Sequence, residues 1–223
     1  MSKNFVLHYL PLRARAEAIR MVLHYGGIPF EDKIYNFSDW PSAKKDKKIA
    51  PFGQLPSMAL PNGETIAETG AIIRLTAKLA NIYPTDVFEA AKADMLFELV
   101  MDMNMINPIY NFFPLDSEKW KSSYGAYFTA LPTHLENLSE LLGSKPFFGG
   151  EIPHHGDFGI FHILSLTKAV EADSLLTYPL LQSFLDRVAT IPQIEKYLQT
   201  RLPLTEIGAP GSFVRTKVVI SPQ

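Results

Sequence analysis

Phe5-Val6-Leu7-His8-Tyr9, running at once into Leu10-Pro11-Leu12-Arg13-Ala14-Arg15-Ala16-Glu17, decides the fold of this 223-residue chain. Phe5, Leu7 and Tyr9 lie on one face and Val6 and His8 on the other, the two-residue period of a strand. Helical periodicity takes over through Ala16, Ile19, Val22 and Leu23, and Gly26-Gly27 is a natural stop. Ile28 to Tyr35 reads as a second strand. Strand, helix and strand in that order form the parallel unit whose crossover is right-handed.

The pattern extends outward from this unit. Ser38-Asp39-Trp40-Pro41 is a cap followed by a proline near the first turn of a short basic helix. Met58 to Leu60 is a strand, and Pro61-Asn62-Gly63-Glu64 is a hairpin turn, because Asn-Gly tolerates positive φ at both central positions. Thr65-Ile66-Ala67 is the returning strand. A helix starts at about Thr69, with Ile72, Ile73, Leu75 and Leu79 on its apolar side. The string β-α-β-α-β-β-α describes a thioredoxin-like domain over residues 1–81, a mixed sheet with helices on both faces.

Residues 82–86 are a linker by composition, and beyond them the pattern changes. Val87 to Pro108, Ser117 to Leu142, Asp157 to Ala172, Pro179 to Ala189 and Gln193 to Thr200 read as helices punctuated by prolines. The expectation is an α/β domain followed by an all-α domain over 87–202, then a tail over 203–223. That tail is either disordered or an extended lid.

Composition narrows the function. Apolar residues make up 47% of the chain and the net charge is −2, the profile of a globular domain with a sizeable core. Lys44-Lys45-Asp46-Lys47-Lys48 is too local a cluster to mark a nucleic-acid surface. No apolar run approaches the roughly 18 residues that span a bilayer, and no secretory signal pattern is visible. The chain has no cysteine, which excludes disulfides, zinc–thiolate sites and Cys-x-x-Cys redox centres. Cytoplasmic localisation is expected. A thiol-handling layout without a thiol also implies that the reactive sulfur comes from outside.

Several residues carry possible chemistry. Tyr9 ends the first strand at its carboxyl end, where ligands bind in α/β sheets. A phenol there can donate a hydrogen bond to sulfur and favour thiolate, with Arg15 or Arg13 as a nearby cation. The alternative is a core tyrosine with its tip in water. Leu55-Pro56, after Phe52-Gly53-Gln54, is either a trans turn or a cis bond that turns the Leu55 N–H and C=O toward an extended peptide. Glu68-Thr69-Gly70 opens a helix with Thr69 as a cap. The free N–H groups there attract a carboxylate and Glu68 an ammonium, together the head of an α-amino acid. Trp40 and Lys44 share a helical face and suit a second carboxylate, or simply cover one another.

Asp94, Glu98 and Asp102 form an acidic stripe. Its default reading is a solvated face, its sharper ones a cation site or a carboxylate reaching a ligand amine across a dimer. His154-His155-Gly156-Asp157 lacks a third ligand at metal spacing, so no metal is expected.

Taken together these residues resemble the cytosolic glutathione transferases, most closely the sigma class with its glutathione-dependent prostaglandin D synthases. Tyr9-Leu10-Pro11-Leu12-Arg13-Ala14-Arg15-Ala16-Glu17 is similar to the segment that carries the family's catalytic tyrosine. The resemblance makes Tyr9 and Arg15 catalytic. It implies that Trp40, Lys44, Gln54, Leu55, Pro56, Glu68 and Thr69 bind glutathione, the co-substrate. Asp102 would serve the neighbouring subunit of a homodimer. Leu10, Met105, Ile109 and Phe112 are the expected apolar substrate pocket. One departure stands out: His154 replaces the serine or threonine usual three residues before the aspartate matching Asp157, which alters a helix-start capping box. The implied activity is transfer of glutathione to hydrophobic electrophiles or peroxides. A non-enzymatic carrier or structural protein on the same scaffold, or a specific glutathione-dependent isomerase, is the alternative.

Overall fold

The computed structural model describes residues 4–204 and 207. All but the first residues of the sequence's tail, residues 205–206 and 208–223, lie outside them, and so does the lid expected there. Strand β1 (Phe5–Tyr9) pairs in parallel with β2 (Phe30–Ile34) and antiparallel with β3 (Ser57–Ala59). β3 pairs antiparallel with β4 (Thr65–Ala67), giving the order β2-β1-β3-β4. β1 is central, so both its faces are covered: Leu7, His8 and Tyr9 are all buried. Helix α1 (Glu17–Tyr25) is the crossover between β1 and β2, and Ile19, Met21, Val22 and Leu23 are fully buried in it. A short one-turn helix α2 (Trp40–Ala43) follows β2, and α3 (Thr69–Leu79) follows β4 and packs on α1.

The rest of the described chain is helical: α4 (Val87–Asp102), α5 (Ile106–Asn111), α6 (Glu118–Leu142), α7 (His155–Val170), α8 (Pro179–Ala189) and α9 (Pro192–Thr200). The expected single helix from Val87 to Pro108 is broken by a 3₁₀ turn at Met103–Met105. Pro108 explains the break, since its ring would clash with the carbonyl of residue 104 in a continuous helix. It is tolerated in the first turn of α5 instead.

α7 is the hub of this half. It packs against α4, α5, α8 and, across the domain boundary, α1. Two glycines let α4 come close: a methyl group at Gly156 would lie 2.8 Å from the Leu96 side chain, and one at Gly159 2.8 Å from Val100. α7 starts two residues before the expected Asp157. The Asp157 carboxylate accepts the N–H groups of His154 at 2.8 Å, Phe148 at 2.7 Å and Gly149 at 3.2 Å. The aspartate half of a capping box therefore survives with histidine at the cap.

Candidate active site

The sheet register gathers the site. Tyr9 is opposite Ile34, His8 opposite Ser57, and Ser57 opposite Ala67. The carboxyl ends of β1, β2 and β4 and the start of β3 therefore meet at one end of the sheet. Tyr9, the Tyr35–Lys44 segment, Leu55-Pro56 and Glu68-Thr69 all emerge there. The Tyr35 N–H donates to the Tyr9 carbonyl at 2.9 Å and continues the β1–β2 ladder beyond its last pair.

Tyr9 is 5% exposed. The backbone N–H of Arg15 donates to its hydroxyl oxygen at 3.1 Å. Burial raises the phenol pKa, opposed by the Arg15 N–H and by the charges of Arg20 and Arg15. The group is therefore a neutral hydroxyl near pH 7. With its oxygen already accepting one hydrogen bond, its own proton is free to be donated elsewhere. The Arg15 side chain is exposed, while Arg13 is half-buried and donates through Nε to the Leu202 carbonyl. The segment between Tyr9 and Arg15 is unusual: Ala14 has φ +34°, a conformation that L-residues rarely adopt.

The Leu55–Pro56 bond is cis. Leu55 is half-buried, Pro56 is buried and Gln54 is exposed. At the start of α3 the cap position is Glu68 rather than the expected Thr69. Thr69 is the first helical residue and is buried. Glu68 has φ +70° and makes no side-chain capping hydrogen bond. The reason is in the backbone: at φ +70° residue 68 is outside the extended conformation from which a cap side chain reaches the first-turn N–H groups. That leaves the first-turn N–H groups without a cap from this residue, the arrangement that favours an anion.

Trp40 is half-buried and Lys44 exposed, and the Lys44 N–H closes the single turn of α2 on the Trp40 carbonyl at 2.9 Å. The Trp40 ring lies 6.0 Å from Tyr35, whose hydroxyl is 2.9 Å from Nδ1 of His8. The segment after α2 is pinned to the sheet. The Ser57 hydroxyl donates to the Ile49 carbonyl, and the Thr65 hydroxyl donates to the Lys48 carbonyl at 2.6 Å.

Residues of the expected apolar pocket fall into different settings. Leu10 is half-buried against the core, Met105 is 45% exposed and Phe112 is 38% exposed. Phe112 makes an edge-on contact with Phe37 at 6.3 Å, joining α5 to the loop after β2. Ile109 is fully buried in the core of the helical domain.

The acidic stripe is only partly a solvated face. Arg74 of α3 contacts Asp94 at 3.0 Å and Glu98 at 2.6 Å, and the Tyr83 hydroxyl donates to Asp94 at 3.1 Å. These contacts brace the two domains; Asp102 is exposed. His155 is buried beside them, stacked on Tyr83 at 5.5 Å with Nε2 3.2 Å from Asp94. Burial lowers its pKa to about 4, so it is neutral. Among the described residues no group of three His, Asp or Glu side chains is placed to hold a metal.

Comparison with known proteins puts a family to this geometry. Residues 14–79 match the model described as Glutathione S-transferase, N-terminal domain, and residues 103–201 match Glutathione S-transferase, C-terminal domain. The hematopoietic prostaglandin D synthase of Gallus gallus is 32% identical over 205 residues, covering 92% of this chain and 99% of its own. The chain belongs to the glutathione S-transferase family. It is similar also to glutathione S-transferase alpha-2 of Rattus norvegicus, 30% identical over 203 residues, 89% of this chain and 90% of that one. The solved structure of rat hPGDS complexed with a quinoline has a TM-score of 0.80 at 26% identity, covering 92% of this chain and 100% of its own.

The chain is thus a glutathione transferase with the family's fold, and the family uses glutathione as co-substrate. One constellation in this transferase is absent from the sequence reading: the charged network under Tyr9. Arg20 is buried, with Cζ 5.6 Å from the centre of the Tyr9 ring. It makes a two-point contact with Asp32 at 2.9 and 3.2 Å. Fully buried Glu17 accepts from the Tyr197 hydroxyl at 2.9 Å and from Arg201 at 3.0 Å. A charged residue three positions from Glu17 on an otherwise apolar helix face was the available signal.

Proposed function

We propose that this glutathione transferase holds the glutathione sulfur as thiolate through a hydrogen bond donated by Tyr9, and directs it at hydrophobic electrophiles. The observation that carries this reading is the Arg15 N–H on the Tyr9 hydroxyl oxygen. It fixes the phenol and leaves its proton to point at a ligand. Arg15 supplies positive charge nearby. The thiolate forms a carbon–sulfur bond and the leaving group departs with the bonding pair. With a peroxide, the thiolate sulfur bonds to one oxygen as the O–O bond breaks, the alkoxide leaves with the bonding pair and takes a proton, and a second glutathione converts the resulting sulfenic acid to disulfide and water.

Glutathione would lie along the end of the sheet. Gln54 and Leu55, beside the cis bond to Pro56, meet its backbone. Glu68 and the open first turn at Thr69 hold the γ-glutamyl head, the carboxylate on the N–H groups and the ammonium on Glu68. Trp40 and Lys44 take the glycine carboxylate. Leu10, Met105 and Phe112 offer apolar surface for the electrophile, with Ile109 behind them.

A sigma-class homodimer in the cytoplasm, with Asp102 lent to the neighbouring site, completes the reading, and a detoxifying role goes with it. Unusually exposed Phe52, Val87 and Phe88, each about 70% accessible, are consistent with burial against a second copy. A narrower reading, a glutathione-dependent isomerase, is favoured by the likeness to the Gallus gallus prostaglandin D synthase.

The test is Tyr9→Phe. Thiolate absorbance of bound glutathione, titrated against pH, should show the thiol pKa raised by roughly two units, and turnover at neutral pH should fall on the order of 30-fold or more. An unchanged thiol pKa in the variant would refute the mechanism. Glutathione binding without turnover on any electrophile, peroxide or isomerisable endoperoxide would favour a carrier.

A further inference from the structure

The link between Tyr9 and its helper runs through five residues, and the backbone of the last of them, next to Arg15, is strained. Ala14, at φ +34°, sits in a region that a Cβ disfavours, so something must hold it there. The structure supplies the hold from one side chain. Arg20 donates from Nη1 to the Leu12 carbonyl at 2.8 Å and reaches the Arg13 carbonyl at 3.4 Å. Those are the two residues just before Ala14. The other edge of the same guanidinium is locked to Asp32 on β2, and its carbon lies against the Tyr9 ring.

We infer that Arg20 is a positioning residue for catalysis. It ties β2, the Leu12–Arg13 turn and the Tyr9 ring into one unit, so that the Arg15 N–H meets the Tyr9 hydroxyl. This rests on the reading of Tyr9 as the thiolate-stabilising donor. Only a planar fork can do it: lysine keeps the charge but cannot grip Asp32 at two points while reaching a carbonyl on the far side. The charged and titratable groups around this guanidinium are Asp32 of β2, Glu17 and His24 of its own helix, Tyr9 of β1, His162 of α7 and Tyr197 of α9. Arg13, Arg15 and Arg201 are the neighbouring cations that also act on Tyr9 or Glu17.

The experiment compares Arg20→Lys, Asp32→Asn and Tyr9→Phe in the full chain, with glutathione and 1-chloro-2,4-dinitrobenzene as probes. Bound-thiol pKa and the pH–rate profile are read alongside thermal unfolding. Arg20→Lys and Asp32→Asn should each raise the thiol pKa by about one unit, so that turnover falls about tenfold below neutral pH and recovers toward alkaline pH. A merely structural role would lower activity by the same factor at every pH. If Arg20→Lys does not fold, Asp32→Asn decides, because Asp32 is partly exposed and its loss leaves Arg20 in place. A Tyr9→Phe shift with no shift in the folded Arg20 or Asp32 variants overturns this inference alone. No shift in Tyr9→Phe overturns the Tyr9 reading on which it stands.

Discussion

Replacing Glu17 by glutamine removes one charge from the contact between α1 and α9, and its effect can be worked out from the structure. The carboxylate is completely buried. Arg201 reaches it at 3.0 Å, the Tyr197 hydroxyl at 2.9 Å and Arg20 at 3.8 Å. Burial alone would raise its pKa, yet His162, Arg20, Arg201 and Arg13 more than offset this, and the carboxyl lies below its ordinary value. His162 is itself held neutral, with burial lowering its pKa to about 4, so the arginines carry the effect at neutral pH. At an effective dielectric of about 20, a charge pair at 3 Å attracts by roughly 5 kcal/mol, opposed by several kcal/mol of desolvation per ion. Glutamine keeps the shape and one acceptor oxygen but turns an N–H₂ group toward guanidinium. Breaking a buried pair on one side typically destabilises by about 3–5 kcal/mol. For a chain of this size that corresponds to a fall in Tm on the order of 10 °C. Denaturant unfolding of Glu17→Gln, with Arg201→Met and the double variant to complete a cycle, measures both the loss and the coupling. A loss under about 1 kcal/mol, with no coupling to Arg201, would show that the network does not join α9 to α1 energetically.

Acid sensitivity follows from the buried histidines. His162 and His155 fold with pKa values near 4 against an ordinary value of 6.5. The unfolded chain therefore binds more protons, and stability is full above about pH 6.5 and lost as pH falls toward 4. Each contributes up to about 3 kcal/mol, and His162→Gln should flatten the slope of the urea midpoint between pH 7 and 5; an unchanged slope counts against it. Gly159→Ala places a methyl group 2.8 Å from Val100 and should destabilise by roughly 1–3 kcal/mol, with Val100→Ala restoring much of the loss; additive losses would mean that α4 and α7 have room to part.

Much of the fold was legible because local signals agreed with one another. The alternation of Phe5 to Tyr9 and the glycine stop at Gly26-Gly27 each fix an element by backbone chemistry; the hairpin turn forms as well, but only Gly63, not Asn62, takes the positive φ expected of both. Boundaries slipped where tertiary contacts decide. A carboxylate gripped by residues 148 and 149 sets the start of α7, and no local pattern carries that information. Pro108 forces the break one turn before it, but apolar spacing runs on from Leu99 through Met103 to Ile106 across the 3₁₀ turn, so periodicity alone reads one helix as far as Pro108. The acidic stripe was legible as a stripe but not as a brace, because its partner Arg74 lies on another domain.

Of the candidate site, the sequence offers the residues that the fold gathers at one end of the sheet, but not what holds them there. Tyr9, the cis bond at Pro56 and the helix start at Thr69 all emerge at one end of the sheet, as the β-α-β order requires. The supporting groups break local rules instead. Ala14 and Glu68 have positive φ without being glycine, and Arg20 and Glu17 are charged residues with almost no exposure. Each is unfavourable by itself, and each lies next to a segment that the proposed chemistry uses. Strain of this kind persists only where surrounding contacts over-determine it. At Ala14 those contacts are the carbonyls held by Arg20, anchored in turn on Asp32. Pattern reading assigns a buried arginine to error or exposure. Here its two-sided grip is the physical reason that an alanine can hold a glycine-like turn beside Tyr9.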